Sequence, residues 1–430
     1  MLRALLRVLG GLEPNRHFLK LWASQLLSLT AFNMINFTLL IRVYELTESS
    51  TLVSLFILSF GLPSLLFGAI AGVFADRWNR RTVLIVTSLT RAFVALTYLA
   101  ALEFLPAIYA ATFIMATVTQ FFTPAEGALI PELVERKRLV AANAIFMMTM
   151  FASFVLGYGL AGPLAATGGD QLPIAVGALM FALATIACLL LPKLQTQRHR
   201  VGVRAAYGSV FSHLKEGFRY VAQRRVVRYG LWQLTFVWAT IGVIMVVLPA
   251  FTAKVLGLNL REVSRLIIMP IGIGMLFGGY LLHRARKQFR VSVIVVFNLV
   301  LAGLAIMVIG QIRPVSDYLI EMGFGSDPGV VSQFVTSGAS AVLGITFSVV
   351  MIAAQTLIHE HTTAEVRGRI FGVLGMSINA ANTLPVLAAG LLTDLFSVTT
   401  VITGVGGGLA AWAILSALAF RQKKIVDTPG

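Results

Sequence analysis

The stretch Gly72-Val73-Phe74-Ala75-Asp76-Arg77-Trp78-Asn79-Arg80-Arg81 is a short charged turn between two long apolar segments, 51–74 and 82–102. A fainter copy lies 207 positions later, as Gly279-Tyr280-Leu281-Leu282-His283-Arg284-Ala285-Arg286-Lys287. Gly279, Arg284 and Lys287 fall where Gly72, Arg77 and Arg80 fall, and His283 stands in place of Asp76. Two turns of one design in one chain imply a duplicated unit.

Outward from these turns the chain is apolar almost throughout. Of 430 residues, 57% are hydrophobic and 12% charged, about half the charge that coats a soluble domain (roughly 25%). Apolar stretches of about 20 residues recur, the length at which a helix crosses ~30 Å of hydrocarbon. Twelve spans fit: 18–43, 51–74, 82–102, 107–128, 140–166, 173–191, 229–251, 263–282, 291–311, 333–358, 370–393 and 398–420. The expected fold is an all-α polytopic membrane protein of two six-helix pseudo-repeat bundles, 1–192 and 229–430. Between them runs a basic linker, 193–228, whose segment His213–Val221 reads as an amphipathic helix lying on anionic lipid. Ala128-Leu129-Ile130-Pro131 matches Thr356-Leu357-Ile358-His359, and Gly162 matches Gly390, at an offset of 228. The offset grows because the loop 312–332 is longer than its counterpart. Parallel repeats about an axis normal to the membrane are one plan for carriers that move solutes across a bilayer.

The net charge of +16 is a topology signal, so no nucleic-acid partner is expected. The two ends of the chain, the linker and the turns on their side of the membrane hold 28 of the 34 Lys and Arg. Positive residues stay on the cytoplasmic side, which places both termini there. Residues 1–16, with Arg3, Arg7 and Arg16 among leucines, read as a short amphipathic helix on the inner membrane face rather than a cleavable leader. The single cysteine, Cys188, excludes an intramolecular disulfide and a cysteine metal cluster. His359-Glu360-His361 reads as a turn, because two histidines two apart suit one helix face poorly. No metal or cofactor is expected.

The first basic turn resembles the signature of the major facilitator superfamily: Gly, three residues, Asp-Arg, two residues, Arg-Arg. It departs at Asn79, where Gly is usual, and Asn tolerates left-handed geometry. Phe121 to Val134, then Leu139 to Ala144, and Val43 to Ser49 are similar to the enterobactin-exporter and macrolide-efflux branch of that superfamily. Gly157 to Pro163 partly resembles its antiporter signature, with Ala165 and Ala166 where glycines trail. The resemblance implies that the turn is a conformational latch, with Gly72, Asp76, Arg77, Arg80 and Arg81 on one side. Asp76 favours a helix N-terminus, and Arg367 and Arg369 flank the eleventh span's start. His283 makes the copied latch weaker or pH-sensitive.

Arg91 is the one charge deep in a span, and Glu126 is the only acid inside one. Arg91, about 14 Å along its helix, sits near the midplane, where a charge is costly and faces a partner or a cavity. Glu126 lies about 27 Å down the fourth span, and the two are separated by roughly 13 Å in depth, too far to pair. They are the candidate coupling residues. The resemblance places the cavity among spans 1, 4, 7 and 10. Its candidate lining is Gln25, Phe32, Asn33, Asn36, Gln120, Trp232, Gln233, Phe236 and Gln355. Amides with aromatics suit a bulky amphipathic ligand. Met147, Phe151, Phe154 and Tyr158 form a further stripe at helical spacing on the fifth span.

We therefore expect a monomeric secondary transporter of the bacterial inner membrane, working by alternating access. It exports a small amphipathic molecule, a drug or siderophore, against protons, in contact with membrane lipids. An importer of a small metabolite is the alternative. A membrane-embedded enzyme would need a nucleophile–base or metal set in the bilayer, and a channel would need no latch.

Overall fold

The computed structural model describes residues 16–192, 216, 219–362 and 383–421. The chain forms helices α1 (Arg16–Thr47), α2 (Ser50–Arg77), α3 (Arg80–Ala101), α4 (Leu105–Leu133), α5 (Leu139–Gly168) and α6 (Gln171–Leu189). After the linker come α7 (Arg225–Lys254), α8 (Met269–Ala285), α9 (Val291–Gly310), α10 (Ile312–Glu321) and α11 (Pro328–Glu360). The last two are α12 (Thr383–Leu395) and α13 (Val398–Arg421). Among the described residues eleven helices are long and apolar enough to cross a membrane, and α12 is a shorter apolar helix. The chain is an all-α polytopic membrane protein.

A helix satisfies its own backbone in lipid, and this solvent tolerates proline where neighbours re-satisfy the freed carbonyls. Pro63, Pro124, Pro131, Pro163 and Pro249 all sit inside helices. The ends are set by local polar groups. Asn79 caps α3, its side chain accepting from the Thr82 amide at 3.1 Å. Its φ of −62° is extended, so the signature's usual glycine is replaced by a capping side chain and not by left-handed geometry. Asp327 caps α11 through the Gly329 amide at 2.8 Å, with Pro328 next. The stretch 312–332, expected as a loop, contains α10. Ile312 and Ser316 are its buried residues, and Ser316 Oγ reaches Ser332 Oγ at 2.8 Å.

The chain forms two compact units: Met1–Leu46 with Leu58–Val210, and Thr47–Ile57 with Phe211–Gly430. The first turns of α2 thus group with the second unit. In the first unit α3 packs on α4 and α6. A core at one end gathers Phe18, Leu21, Leu84, Phe122, Leu129, Phe146 and Cys188. In the second, α9 packs on α11 and α13, and α8 on α11. The α9–α13 approach is set by two glycines. A methyl on Gly303 would lie 2.6 Å from the Gly406 carbonyl, and one on Gly406 would lie 2.6 Å from the Gly303 carbonyl. Small residues let membrane helices come this close.

Candidate functional site

The side chains of Asp76 and Arg77 and the surroundings of Gly72 lie outside what the structure describes, as do Arg367 and Arg369. The rest of the basic turn is anchored within the first unit. Arg80 Nη1 donates to the Ala128 carbonyl at 3.0 Å and pairs with Glu132 on α4. Arg81 Nη2 donates to the Leu189 carbonyl at 2.6 Å, and Lys20 Nζ to the Leu190 carbonyl at 2.8 Å. Two cations thus satisfy the free carbonyls at the negative end of α6. The copied turn makes a similar contact in the second unit, where Arg286, one place before the counterpart of Arg80, pairs with Glu360 at 3.3 Å. Glu360 ends α11 and stands 228 residues after Glu132, so both pairs tie a basic turn to the end of a fourth span. Tyr220 donates to the His361 carbonyl at 3.2 Å, and His361 Nδ1 lies 3.0 Å from the Leu357 carbonyl. His283 is exposed.

Arg91 and Glu126 are both buried, at 1% and 6% exposure. The Arg91 guanidinium stacks over Phe122 at 4.0 Å and Phe181 at 5.0 Å, contacts that grow in strength once desolvated. It donates at 3.3 Å to Ser88 Oγ, at 3.4 Å to Ser28 Oγ of α1, and at 3.4 Å to the Thr87 carbonyl. The depth count had set Arg91 and Glu126 roughly 13 Å apart. The guanidinium instead lies over Phe122, one helical turn or ~6 Å from Glu126 along α4. The long Arg side chain runs along the helices, so counting backbone rises overstates the separation. Cys188 closes the cluster, with its Sγ 3.0 Å from Ser24 Oγ.

On α1, Phe32 and Asn33 are half-buried, and Gln25 and Asn36 are buried. Gln25 Nε2 donates to the Phe146 carbonyl at 3.4 Å. Phe32 meets Phe60 edge-on at 6.4 Å, and Phe154 stacks on Tyr158 at 4.4 Å. Gln120 and Gln355 are half-buried. In the second unit Trp232, Phe236 and Trp412 form one aromatic group. Phe236 stacks on Trp412 at 4.0 Å, with an interplanar angle of 12°, and Trp232 lies 6.1 Å from Trp412 and remains 45% exposed. Gln233 is fully buried, and its Oε1 accepts from Trp412 Nε1 at 3.0 Å. Trp412 was absent from the sequence reading because α13 carries no polar stripe to draw attention to it.

Asp394 was also missed. It stands at the end of α12, one residue past the expected span. Its carboxylate accepts from Ser49 Oγ at 2.7 Å, the Ser50 amide at 2.8 Å and the Thr51 amide at 2.9 Å. A carboxylate from a distant helix thereby caps the start of α2. Burial pushes its pKa up, but the bonds from Ser49, Thr51 and Ser50 outweigh this and leave it below the ordinary value of 3.8. Gly390, one turn earlier, brings the helices close: a methyl there would lie 2.6 Å from the Ser50 carbonyl.

The sequence pattern of the Major Facilitator Superfamily matches residues 21–336. Macrolide efflux protein A of Streptococcus pyogenes is 23% identical over 396 residues, 89% of this chain and 90% of that protein. The uncharacterized MFS-type transporter YfiS of Bacillus subtilis (strain 168) is 21% identical over 365 residues, 84% and 82% of the two lengths. Among solved structures, the nucleoside transporter NupG superposes with a TM-score of 0.71 at 12% identity, covering 94% of this chain and 99% of its own. A bacterial homologue of the lysosomal transporter Spinster, inward-facing and unoccupied, gives 0.69 at 14% identity, covering 98% and 100%. With its basic turn, its apolar helices and a family match over most of its length, the chain belongs to the Major Facilitator Superfamily and is a multi-pass membrane transporter.

Proposed function

We propose that this transporter exports a bulky amphipathic small molecule, of the macrolide or siderophore kind, in exchange for protons. The observation that carries this reading is the aromatic group of Trp232, Phe236 and Trp412, with Trp232 half open. Flat apolar faces beside a few amides hold large amphipathic ligands without demanding one hydrogen-bond pattern. Trp232, Phe236, Phe32, Asn33, Asn36, Gln120 and Gln355 contact substrate in this reading. Gln233 acts through Trp412, whose indole it orients, and Gln25 is a further candidate. Similarity to Macrolide efflux protein A over nine-tenths of both chains supports export.

Transport proceeds by alternating access, with Gly72, Asp76, Arg77, Arg80, Arg81, Arg367 and Arg369 forming the latch of one state at the cytoplasmic side of a bacterial inner membrane. The protein works as a monomer. The test is the susceptibility of an efflux-deficient bacterial host to a macrolide antibiotic and to a catecholate siderophore, with and without expression. Raised resistance or secretion is expected with the wild type and lost with Trp232→Ala. Expression that increases uptake instead would establish an importer.

A further inference from the structure

Among the described residues Glu126 Oε1 has no hydrogen-bond partner, and the residue is 6% exposed. Its helix neighbours Phe122, Ala125, Leu129 and Ile130 belong to the apolar core of the first unit. A carboxylate placed so must be neutralised, paired or used. The charged group that acts on it is Arg91 of α3, yet among the described residues Arg91 makes no ion pair with it. Arg91 rests on two aromatic rings and three bonds of 3.3–3.4 Å. Cys188 of α6 is the other titratable neighbour of the two charges. From α1 and α5 the core presents Phe18, Leu21, Ile145 and Phe146.

Opposite charges this deep attract strongly when no water screens them. A guanidinium facing a charged carboxylate one turn away should leave weak ring and hydroxyl contacts for it. Its seat over Phe122 and Phe181 is the arrangement that goes with a neutral acid. Its bond to Ser28 matters because α1 carries Gln25 and Phe32 one turn to either side of Ser28. A change of charge at Glu126 therefore reaches the α1 face through a single side chain.

We propose that Glu126 is the proton-carrying carboxyl of the transporter and that Arg91 relays its charge state to α1. This rests on the proton-exchange reading above. In the step, the carboxylate accepts one proton from the side of high proton activity, forming an O–H bond, and later releases it to the other side. No electrons move and no other reactant is needed. With Glu126 protonated, Arg91 holds Ser28. With Glu126 ionised, Arg91 turns toward the carboxylate and releases α1.

Two measurements on the full chain in lipid vesicles test this. The first uses dicyclohexylcarbodiimide, which attacks protonated carboxyls in apolar surroundings. Peptide mapping should find the adduct on Glu126, formed faster as pH is lowered, and absent from Glu126→Gln. An unmodified Glu126 at every pH, beside labelled carboxyls elsewhere, overturns the proposal. The second follows a radiolabelled macrolide antibiotic. Glu126→Gln should keep exchange down a substrate gradient but lose accumulation driven by a pH gradient, falling to the level of protein-free vesicles. Glu126→Asp should keep driven accumulation with a displaced pH profile, which guards against a folding defect in the glutamine variant. Undiminished driven accumulation in Glu126→Gln overturns the proposal while leaving export intact. If the wild type moves no macrolide, export of that substrate fails, and the carbodiimide labelling alone decides the role of Glu126.

Discussion

Arg80 and Glu132 show side chains 25% and 33% exposed. Pairs this open contribute about 0–1 kcal/mol to stability. Glu132→Gln should therefore leave thermal unfolding in detergent almost unmoved, as fluorescence-detected melting will report. In the proposed latch the turn acts through a difference between conformations, since an interaction shifts an equilibrium only if it is stronger in one state. Asp76→Asn removes the charge that favours a helix N-terminus and changes little else. Efflux in the susceptibility assay should fall sharply while the amount of protein in the membrane stays constant. Normal efflux by Asp76→Asn would remove this aspartate from the latch.

α2 begins against a carboxylate 344 residues away in sequence. Losing a cap that serves two amides and a hydroxyl costs about 1 kcal/mol, so Asp394→Ala should speed hydrogen–deuterium exchange at Ser50 to Ser54 and leave α9 unchanged. The acid's pKa is depressed by those bonds, so capping is fully present above 3.8 and is lost as pH falls through the lowered folded value. Protection in this segment, relative to the intrinsic exchange rate at each pH, should fall in acid in the wild type and be insensitive to acid in the variant. Packing between α9 and α13 gives a second contrast. Gly303→Val forces a side chain against the Gly406 backbone and should cut folded yield steeply. Gly407→Ala meets nothing within 4 Å and should fold as the wild type does, because alanine also suits a helix better than glycine.

At the scale of the molecule, the features legible in the sequence were those that lipid imposes or that duplication copied. Long apolar helices follow from unsatisfiable backbone in hydrocarbon. The two basic turns were legible as a repeat, but the pairs of Arg80 with Glu132 and Arg286 with Glu360 were not, since Arg286 falls where Asn79 falls and only the acids stand at corresponding places. What stayed hidden depends on tertiary approach: the Asp394 cap, the Gln233–Trp412 bond, and Arg91 reaching down to Phe122. α10 was hidden for a different reason, since ten residues with one small apolar face resemble a polar loop. Sidedness is the part of the fold that charge counting alone supplies, and it can be tested directly. Cys188 is buried against Ser24, and Cys188→Ser preserves a hydrogen-bonding group there, giving a background without reactive thiols. Trp78 and Gln288 are exposed in the two basic turns; Glu103, between α3 and α4, and Glu321, at the end of α10, are exposed as well. In that background, Glu103→Cys and Glu321→Cys should react with a membrane-impermeant maleimide in intact cells. Trp78→Cys and Gln288→Cys should react only after permeabilisation. Labelling of one turn but not the other in intact cells would put the two copies on opposite sides of the bilayer, which two parallel repeats cannot do.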